Sequence, residues 1–365
     1  MAKLRVGLLF GGRSVEHEVS VASATSILSA LDPSRYEVRL IAVDPDGRWH
    51  LGSADHPPEV VATRGTEVTP PVQAGRNSLL PVEASAQNAA TELDVIFPII
   101  HGTQGEDGAL QGMLELAGVP YAGARVLGSA IQMDKDVAKR LLLAAGLPVV
   151  PWHTLRNHDL DAAERSTAIA DAVTDLGLPL FVKPANSGSS VGTSKATNKA
   201  ELDIGVIEAA RYDTKVLIEK AIDAREIEVA VLGNEEPRAS VPGEIAQQNE
   251  FYDYEAKYAD DTTEMLIPAP LDEEITERVR SMAIEAYRTL EGEGFARVDF
   301  LLDRTSGEIY INELNSLPGF TETSMFPLMW EAAGLPYPAL LDRLIELALE
   351  RHSKRSQLET TYRRG

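Results

Sequence analysis

The sequence predicts an α/β fold class with α+β elements, its N-terminal part built on a mostly parallel sheet. Three observations carry this expectation. Apolar runs of strand length at 4–10, 36–44 and 94–100 are followed by stretches with helical spacing. Beyond residue 178, strands are joined by short Gly- and Ser-containing turns, with one long helix among them. A chain of 365 residues is also too long for one ordinary core, so two or three domains are expected.

The elements follow in order. LRVGLLF is a buried strand, and Val21, Ala24, Leu28 and Leu31 then recur at helical spacing up to a stop at Asp32-Pro33. YEVRLIAVD and DVIFPII are further strands, the second followed by a helix over 109–117. Residues 52–91, rich in Pro, Gly, Ser and Thr, read as a surface excursion with short strands and not as a domain. A helix over 135–145 stops at Gly146-Leu147-Pro148. PLFVKPANSGSSVGTSKA then reads as strand, loop, strand, and KVLIEKAI and REIEVAVLGN as two more strands. Ile275, Val279, Met282, Ala286 and Leu290 mark one face of a long helix. FARVDFLL and EIYINELN flank an Arg-Thr-Ser-Gly turn and form a hairpin. Leu341, Leu344, Ile345 and Ala348 form the core stripe of a last helix, and HSKRSQLETTYRRG is a polar tail expected to fray.

Composition narrows the function classes. The apolar content of 44% is that of a globular protein, and 34 basic against 56 acidic residues give a net charge of −22. Such a balance argues against nucleic acid or an anionic membrane as partner, and it requires any polyanion site to be locally basic. The absence of cysteine excludes disulfides, thiolate metal sites and a cysteine nucleophile. The opening MAKLRVGLLF has no signal-peptide pattern and no apolar run reaches membrane-spanning length, so the expected compartment is the cytoplasm.

Six stretches can carry chemistry, among them LIEKAI, a strand leading into a connection that can bind adenine by edge hydrogen bonds or simply hold a surface Glu-Lys pair. On the hairpin, residues two apart share a face. Asp299, Glu313 and Asn315 therefore converge as hard oxygen ligands suited to Mg²⁺, with Arg297 beside them to grip a phosphate or an oxyanion. The alternative is a solvated face of ordinary ion pairs. KPANSGSSVGTSK places Lys183 before a loop of backbone and hydroxyl donors able to cover phosphates, though it is no Walker A motif; the alternative is a plain turn. FYDYEAKYAD, with four aromatics among charges, reads either as a lid or as a surface segment burying its rings. His101, at the carboxyl end of a strand, can bond a substrate carboxylate or cap backbone groups. FGGRSVEHEVS sits where a phosphate loop would, but it lacks G-x-G-x-x-G, and Glu16 and Glu18 would repel a pyrophosphate. Glu16 is better placed to hold an ammonium group, or simply to stabilise the helix start.

Taken together, the chain resembles the D-alanine–D-alanine ligases of the ATP-grasp superfamily over nearly its whole length. GGRSVEHEVSVASA, HGTQGEDGALQGMLELAGVPYAG, MDKDVAKRLLLAAGLPVVPW, FVKPANSGSSVGTSK, FYDYEAKY, ARVDF and INELNSLPGFTETSM occur in the family's order. The resemblance implies an ATP-grasp fold of three domains: a substrate domain at 1–127, a central one at 128–222 and a C-terminal one at 223–352, with a lid at 248–260 and a tail at 353–365. It implies ATP and two Mg²⁺ (or Mn²⁺) as cofactors. Lys135, Lys183, Ser189 and Ser190 would meet the nucleotide's phosphates, Glu219, Lys220 and Ile222 the adenine, Glu226 the ribose, and Lys257 the ATP from the lid. Asp299, Glu313 and Asn315 would hold the metals. Glu16 and His101 would meet the first D-alanine, Ser324 and Met325 the second, and Arg297 with the Gly319 N–H the oxyanion. Tyr258 would join Glu16 and Ser189 in a closing network. The implied reaction joins two D-alanines through an acyl phosphate, for peptidoglycan precursors and cell-wall biogenesis, in a cytoplasmic homodimer. Ala221 departs from the family's bulkier residue at the adenine hinge. A D-alanine–D-lactate ligase and an inactive ATP-binding regulator are the rival readings. The intact Lys257-Tyr258 disfavours the first, and the complete set of metal and phosphate positions disfavours the second.

Overall fold

The computed structural model describes residues 2–71, 78–82, 91–156, 161–246 and 264–359. Three sheets organise them. The first has seven strands: β1 (Leu4–Gly11), β2 (Tyr36–Val43), β3 (Trp49–Ser53), β4 (Thr66–Thr69), β5 (Ser78–Pro81), β6 (Thr91–Glu92) and β7 (Val95–Pro98), in the order β6-β5-β4-β3-β2-β1-β7. Its centre is parallel, since β1 pairs in parallel with both β2 and β7. Val6, Leu8, Leu9 and Phe10 of β1 have no exposed surface, as expected of a strand covered on both faces. Helices α1 (His17–Ala30), α2 (Pro58–Arg64) and α3 (Ala109–Ala117) belong to this unit.

The stretch 52–91 is more than an excursion. It supplies α2 and the antiparallel strands β4, β5 and β6 that extend the sheet. It also buries Val61, Val68 and Leu79. Single apolar residues spread among polar ones are enough here because each strand is only two to four residues long.

After α4 (Val126–Met133) and α5 (Lys135–Ala144), the second sheet holds β8 (Trp152–Arg156), β9 (Leu180–Pro184), β10 (Ser194–Ala196) and β11 (Lys215–Lys220), ordered β10-β9-β11-β8. Helices α6 (Ala162–Leu176) and α7 (Lys199–Ala209) pack over it around Ile169, Leu202 and Val206. The third sheet, ordered β14-β13-β12-β15-β16, comprises β12 (Ala224–Leu232), β13 (Arg238–Ala246), β14 (Glu264–Leu266), β15 (Phe295–Asp303) and β16 (Ile309–Asn315). Helix α8 (Glu273–Thr289) starts at Asp272, whose side chain accepts from the Ile275 N–H. It buries Val279, Met282, Ala283, Ala286 and Tyr287 against that sheet. Ala138 and Leu142 of α5 enter the same core.

The chain ends with α9 (Met325–Ala332) and α10 (Tyr337–Ser356). Helix α10 returns to the first sheet: Leu340, Leu344 and Ile345 share a core with Phe10, Ile27 and Phe97. Arg351 donates to the backbone carbonyls of Tyr121, at 2.7 Å, and of Gly123. The expected fraying from residue 352 is not seen through Ser356, which is still helical.

Candidate active site

The third sheet carries the densest charge. β15 and β16 pair with Arg297 opposite Asn315 and Asp299 opposite Glu313. On the other side of β15, Glu228 of β12 also lies opposite Asp299. The Arg297 guanidinium donates from Nε and Nη2 to the two Asp299 oxygens, both at 2.7 Å, and its Nε lies 3.1 Å from Glu228. Asn315 Nδ2 donates to Asp299 Oδ2 at 2.9 Å. Burial opposes the Arg297 charge, but Asp299 and Glu228 more than offset it and hold the pKa above the ordinary arginine value. The register slips after Asp299, so that Phe300 pairs with Ile311 and Asn312 is the extra residue.

Two lysines meet this face from other elements. Lys135, at the start of α5, pairs with Glu313 at 3.2 Å and donates to the Ser187 carbonyl at 2.7 Å. Lys183 on β9 donates to Asn312 Oδ1 at 3.3 Å and pairs with Glu219 Oε2 of β11 at 2.6 Å. A third cation, Lys139, holds Glu219 Oε1 at 3.1 Å. Burial pulls the Lys139 ammonium down to about 8. Burial pushes the Glu219 carboxyl up, and the two lysines together bring it below the ordinary glutamate value.

The N-terminal part closes the other side. Glu16 precedes α1 but makes no side-chain cap to it. Its Oε1 instead accepts from the Ser189 hydroxyl. Glu16 fits because two glycines make room: a Cβ at Gly102 or Gly188 would come within 2.5 or 2.7 Å of Oε2. Ser189 and Ser190 both sit in the left-handed region, with φ of 48° and 57°, the kind of backbone strain that gathers at ligand clamps.

His101 and Glu106 grip the loop after β16. His101 Nδ1 lies 2.8 Å from the Leu317 carbonyl, which can only accept, so Nδ1 carries the proton. Nε2, 3.2 Å from Ser23 Oγ, then accepts from that hydroxyl, which in turn accepts from the Phe320 N–H at 3.3 Å. Burial holds the His101 pKa below the ordinary histidine value, in keeping with this neutral ring. Glu106 accepts from the Gly102 N–H at 2.7 Å and the Leu317 N–H at 2.8 Å. Burial and repulsion from Glu16 push its carboxyl up to about 8, against those two N–H groups, which favour the ionised form. Gly319 thus lies between two residues whose backbone is fixed by the N-terminal part.

These groups surround one cavity of about 820 Å³. Of the residues singled out in the sequence, Glu16, His101, Lys135, Ser189, Glu226, Arg297, Asp299, Glu313, Asn315, Gly319, Ser324 and Met325 line it. Lys183 and Glu219 are joined to its wall through Asn312. Ser190, Lys220 and Ile222 are not among its lining residues. Lys257, Tyr258 and the whole of the expected lid at 248–260 lie outside the described residues. Five residues were not singled out: Ser23, Glu106, Lys139, Glu228 and Asn312. Two left a signal, because Glu228 shares a strand face with Glu226 and Lys139 follows Lys135 by one helical turn.

The donor set of Asp299, Glu313 and the Asn315 amide suits Mg²⁺, which takes a few protein oxygens and completes its shell with phosphates and water. Arg297 and Lys135 balance those carboxylates in the structure. Among the described residues, no helix is long and apolar enough to cross a membrane.

Two family models match the chain: D-ala D-ala ligase N-terminus over residues 5–124 and D-ala D-ala ligase C-terminus over residues 141–346. The chain is 49% identical over 369 residues to a D-alanine–D-alanine ligase of Shouchella clausii, covering 99% of each. It is 52% identical over 359 residues to the D-alanine–D-alanine ligase A of Chromobacterium violaceum, covering 96% of each. Among solved structures, it is similar to the D-alanine-D-alanine ligase from Coxiella burnetii, with a TM-score of 0.85 and 38% identity over 98% of this chain and 97% of that one. A D-Ala:D-Ser ligase from Enterococcus faecalis matches with a TM-score of 0.84 and 33% identity over 95% of this chain and 100% of that one.

Proposed function

The chain belongs to the D-alanine–D-alanine ligase family, and on that premise we propose how its residues divide the reaction. It is a ligase that joins D-alanines for peptidoglycan precursors, and its family uses ATP. A carboxylate is a poor electrophile at neutral pH, so the first D-alanine takes the γ-phosphoryl group and becomes an acyl phosphate. The amine of the second, deprotonated, attacks the acyl carbon, and phosphate leaves. The observation that carries the assignment of residues is the convergence of Glu16, Lys135 and Arg297, from three parts of the chain, on one cavity.

Glu16 holds the ammonium of the first D-alanine. Lys135 and Lys183 bind the nucleotide's phosphates, with Ser189 and Ser190 covering them. Glu219, Lys220 and Ile222 flank the adenine, and Glu226 the ribose. Asp299, Glu313 and Asn315 would hold two Mg²⁺ ions, which supply charge neutralisation at the phosphates. Two of the five N–H donors of Arg297 go to Asp299, which leaves donors to share with the Gly319 N–H in binding the tetrahedral oxyanion. His101, Glu106 and Ser23 position Gly319 by fixing Leu317 and Phe320. Ser324 and Met325 receive the second substrate. Lys257 and Tyr258 close the site. The three sheets support substrate, central and C-terminal domains at 1–127, 128–222 and 223–352. A cytoplasmic homodimer is proposed from family resemblance alone.

The likeness to a D-Ala:D-Ser ligase makes the second substrate the point to test. Phosphate release from ATP should be fastest with D-alanine alone, and slower when D-serine or D-lactate competes as acceptor. No release with D-alanine would sink the assignment; mixed products dominated by D-Ala-D-Ser or D-Ala-D-lactate would reassign the acceptor.

Gly188→Ala tests Glu16 without touching it. The added methyl would lie 2.7 Å from Glu16 Oε2 and displace it. The KM for the first D-alanine should rise about tenfold, in line with losing part of one charge-assisted hydrogen bond, while the melting temperature stays near wild type. An unchanged KM would separate Glu16 from substrate binding.

A further inference from the structure

Lys139 has no place in the mechanism above, yet it is a cation with only 1% of its surface exposed. It projects from α5 one turn after Lys135 and ends between two acceptors, Glu219 Oε1 at 3.1 Å and the Val150 carbonyl at 3.2 Å. Its ammonium also lies 5.6 Å from the centre of the Trp152 ring. Glu219 is itself only 3% exposed, and its second oxygen holds Lys183 at 2.6 Å. One buried carboxylate on β11 therefore bridges two ammonium groups, one from α5 and one from β9.

That stoichiometry has a consequence when an anion arrives. A phosphate that draws Lys183 toward itself leaves Glu219 behind in the interior. With Lys139 in place, what remains is a neutral ion pair at 3.1 Å. With an apolar residue there, what remains is a lone buried carboxylate, which is strongly unfavourable. Lys183 would then be trapped on Glu219. The triad also keeps a surplus positive charge at this wall, in a chain whose net charge is −22.

We propose that Lys139 is a positioning residue for nucleotide binding: it is the permanent counter-ion of Glu219 and so releases Lys183 to bind a polyphosphate. The inference rests on the assignment of Lys183 to the nucleotide's phosphates. It predicts that Lys139 matters for phosphates and not for the nucleoside, a distinction a packing role would not make.

Binding of adenosine and of the Mg²⁺ complex of a non-hydrolysable ATP analogue should be measured by calorimetry for wild type, Lys139→Met, Glu219→Gln and the double variant. Lys139→Met is expected to weaken the analogue by roughly 10²-fold, the penalty of stranding a buried charge, and adenosine by less than about threefold. Lys139→Met/Glu219→Gln should bind the analogue within about threefold of Glu219→Gln, because no carboxylate is left to trap Lys183. That last comparison also decides the matter if Lys139→Met alone does not fold. Equal losses for adenosine and analogue, or a double variant far weaker than Glu219→Gln, would overturn the proposal while leaving the nucleotide site standing. A wild type that binds adenosine but gains nothing from the phosphates would overturn the Lys183 assignment and this proposal with it.

Discussion

Arg297→Ala is expected to lower turnover by roughly 10²–10³, the usual loss when one preorganised oxyanion donor is removed. The structure adds a second effect. Arg297 is the partner of both Asp299 and Glu228 on the largely buried sheet face that lines the cavity. Its removal leaves two carboxylates facing each other without a cation, at a cost of about 3–5 kcal/mol in folding stability. Mg²⁺ and nucleotide, by supplying positive charge beside Asp299, should restore part of that stability. Turnover is read from phosphate release at saturating ATP and D-alanine, below the melting temperature of the variant. Arg297→Lys keeps the charge but not the two-pronged geometry, so it should recover most of the stability and little of the rate. Turnover within threefold of wild type in the alanine variant would end the oxyanion assignment.

Lys183→Met should lower turnover by about 10³, the low end of what a single phosphoryl-stabilising cation contributes. Its stability loss should be the smaller of the two, because Glu219 keeps Lys139 at 3.1 Å. The pair of variants thus separates two kinds of cation on one network. One is needed for the fold and the chemistry together, and the other for the chemistry alone. Melting curves without ligand, set beside turnover, check the separation. A Lys183→Met protein with nearly normal turnover, or one that melts as early as Arg297→Ala, would contradict it.

Much of the architecture is legible in the sequence because it rests on short-range periodicities. The β15–β16 hairpin follows from two alternating runs around an Arg-Thr-Ser-Gly turn, and the shared face of Arg297 and Asp299 follows from a spacing of two. The bulge at Asn312 does not follow, since a register slip depends on how the partner strand packs. For Glu16 the residue type left two readings, helix start or ligand group. In the structure its side chain makes no cap to α1 and bonds Ser189, 173 positions along the chain. In the sequence, His101 admits two readings, a substrate contact or a backbone-binding loop residue. It lines the cavity, but both ring nitrogens are engaged by the protein. Glu106 was visible only inside a motif, because its partner, the Leu317 N–H, lies 211 positions along the chain. The stretch 52–91 is legible only as an excursion with short strands, because each strand offers little more than one apolar side chain to the core, too little to show that it extends the first sheet.

The return of α10 to the first sheet sets an order on how the protein is made. Phe10 and Phe97 emerge from the ribosome well before Leu344 and Ile345, which share their core. At 5–20 residues per second, roughly ten to fifty seconds separate the two. During that interval the first sheet has α1 on the face of Phe10 and Phe97, through Val21, Ala24 and Ile27, but lacks the part of its cover that α10 supplies. The same core takes Ala230, Leu232, Ile245 and Phe295 from the third sheet, so the first and third sheets mature as one folding unit that α10 closes.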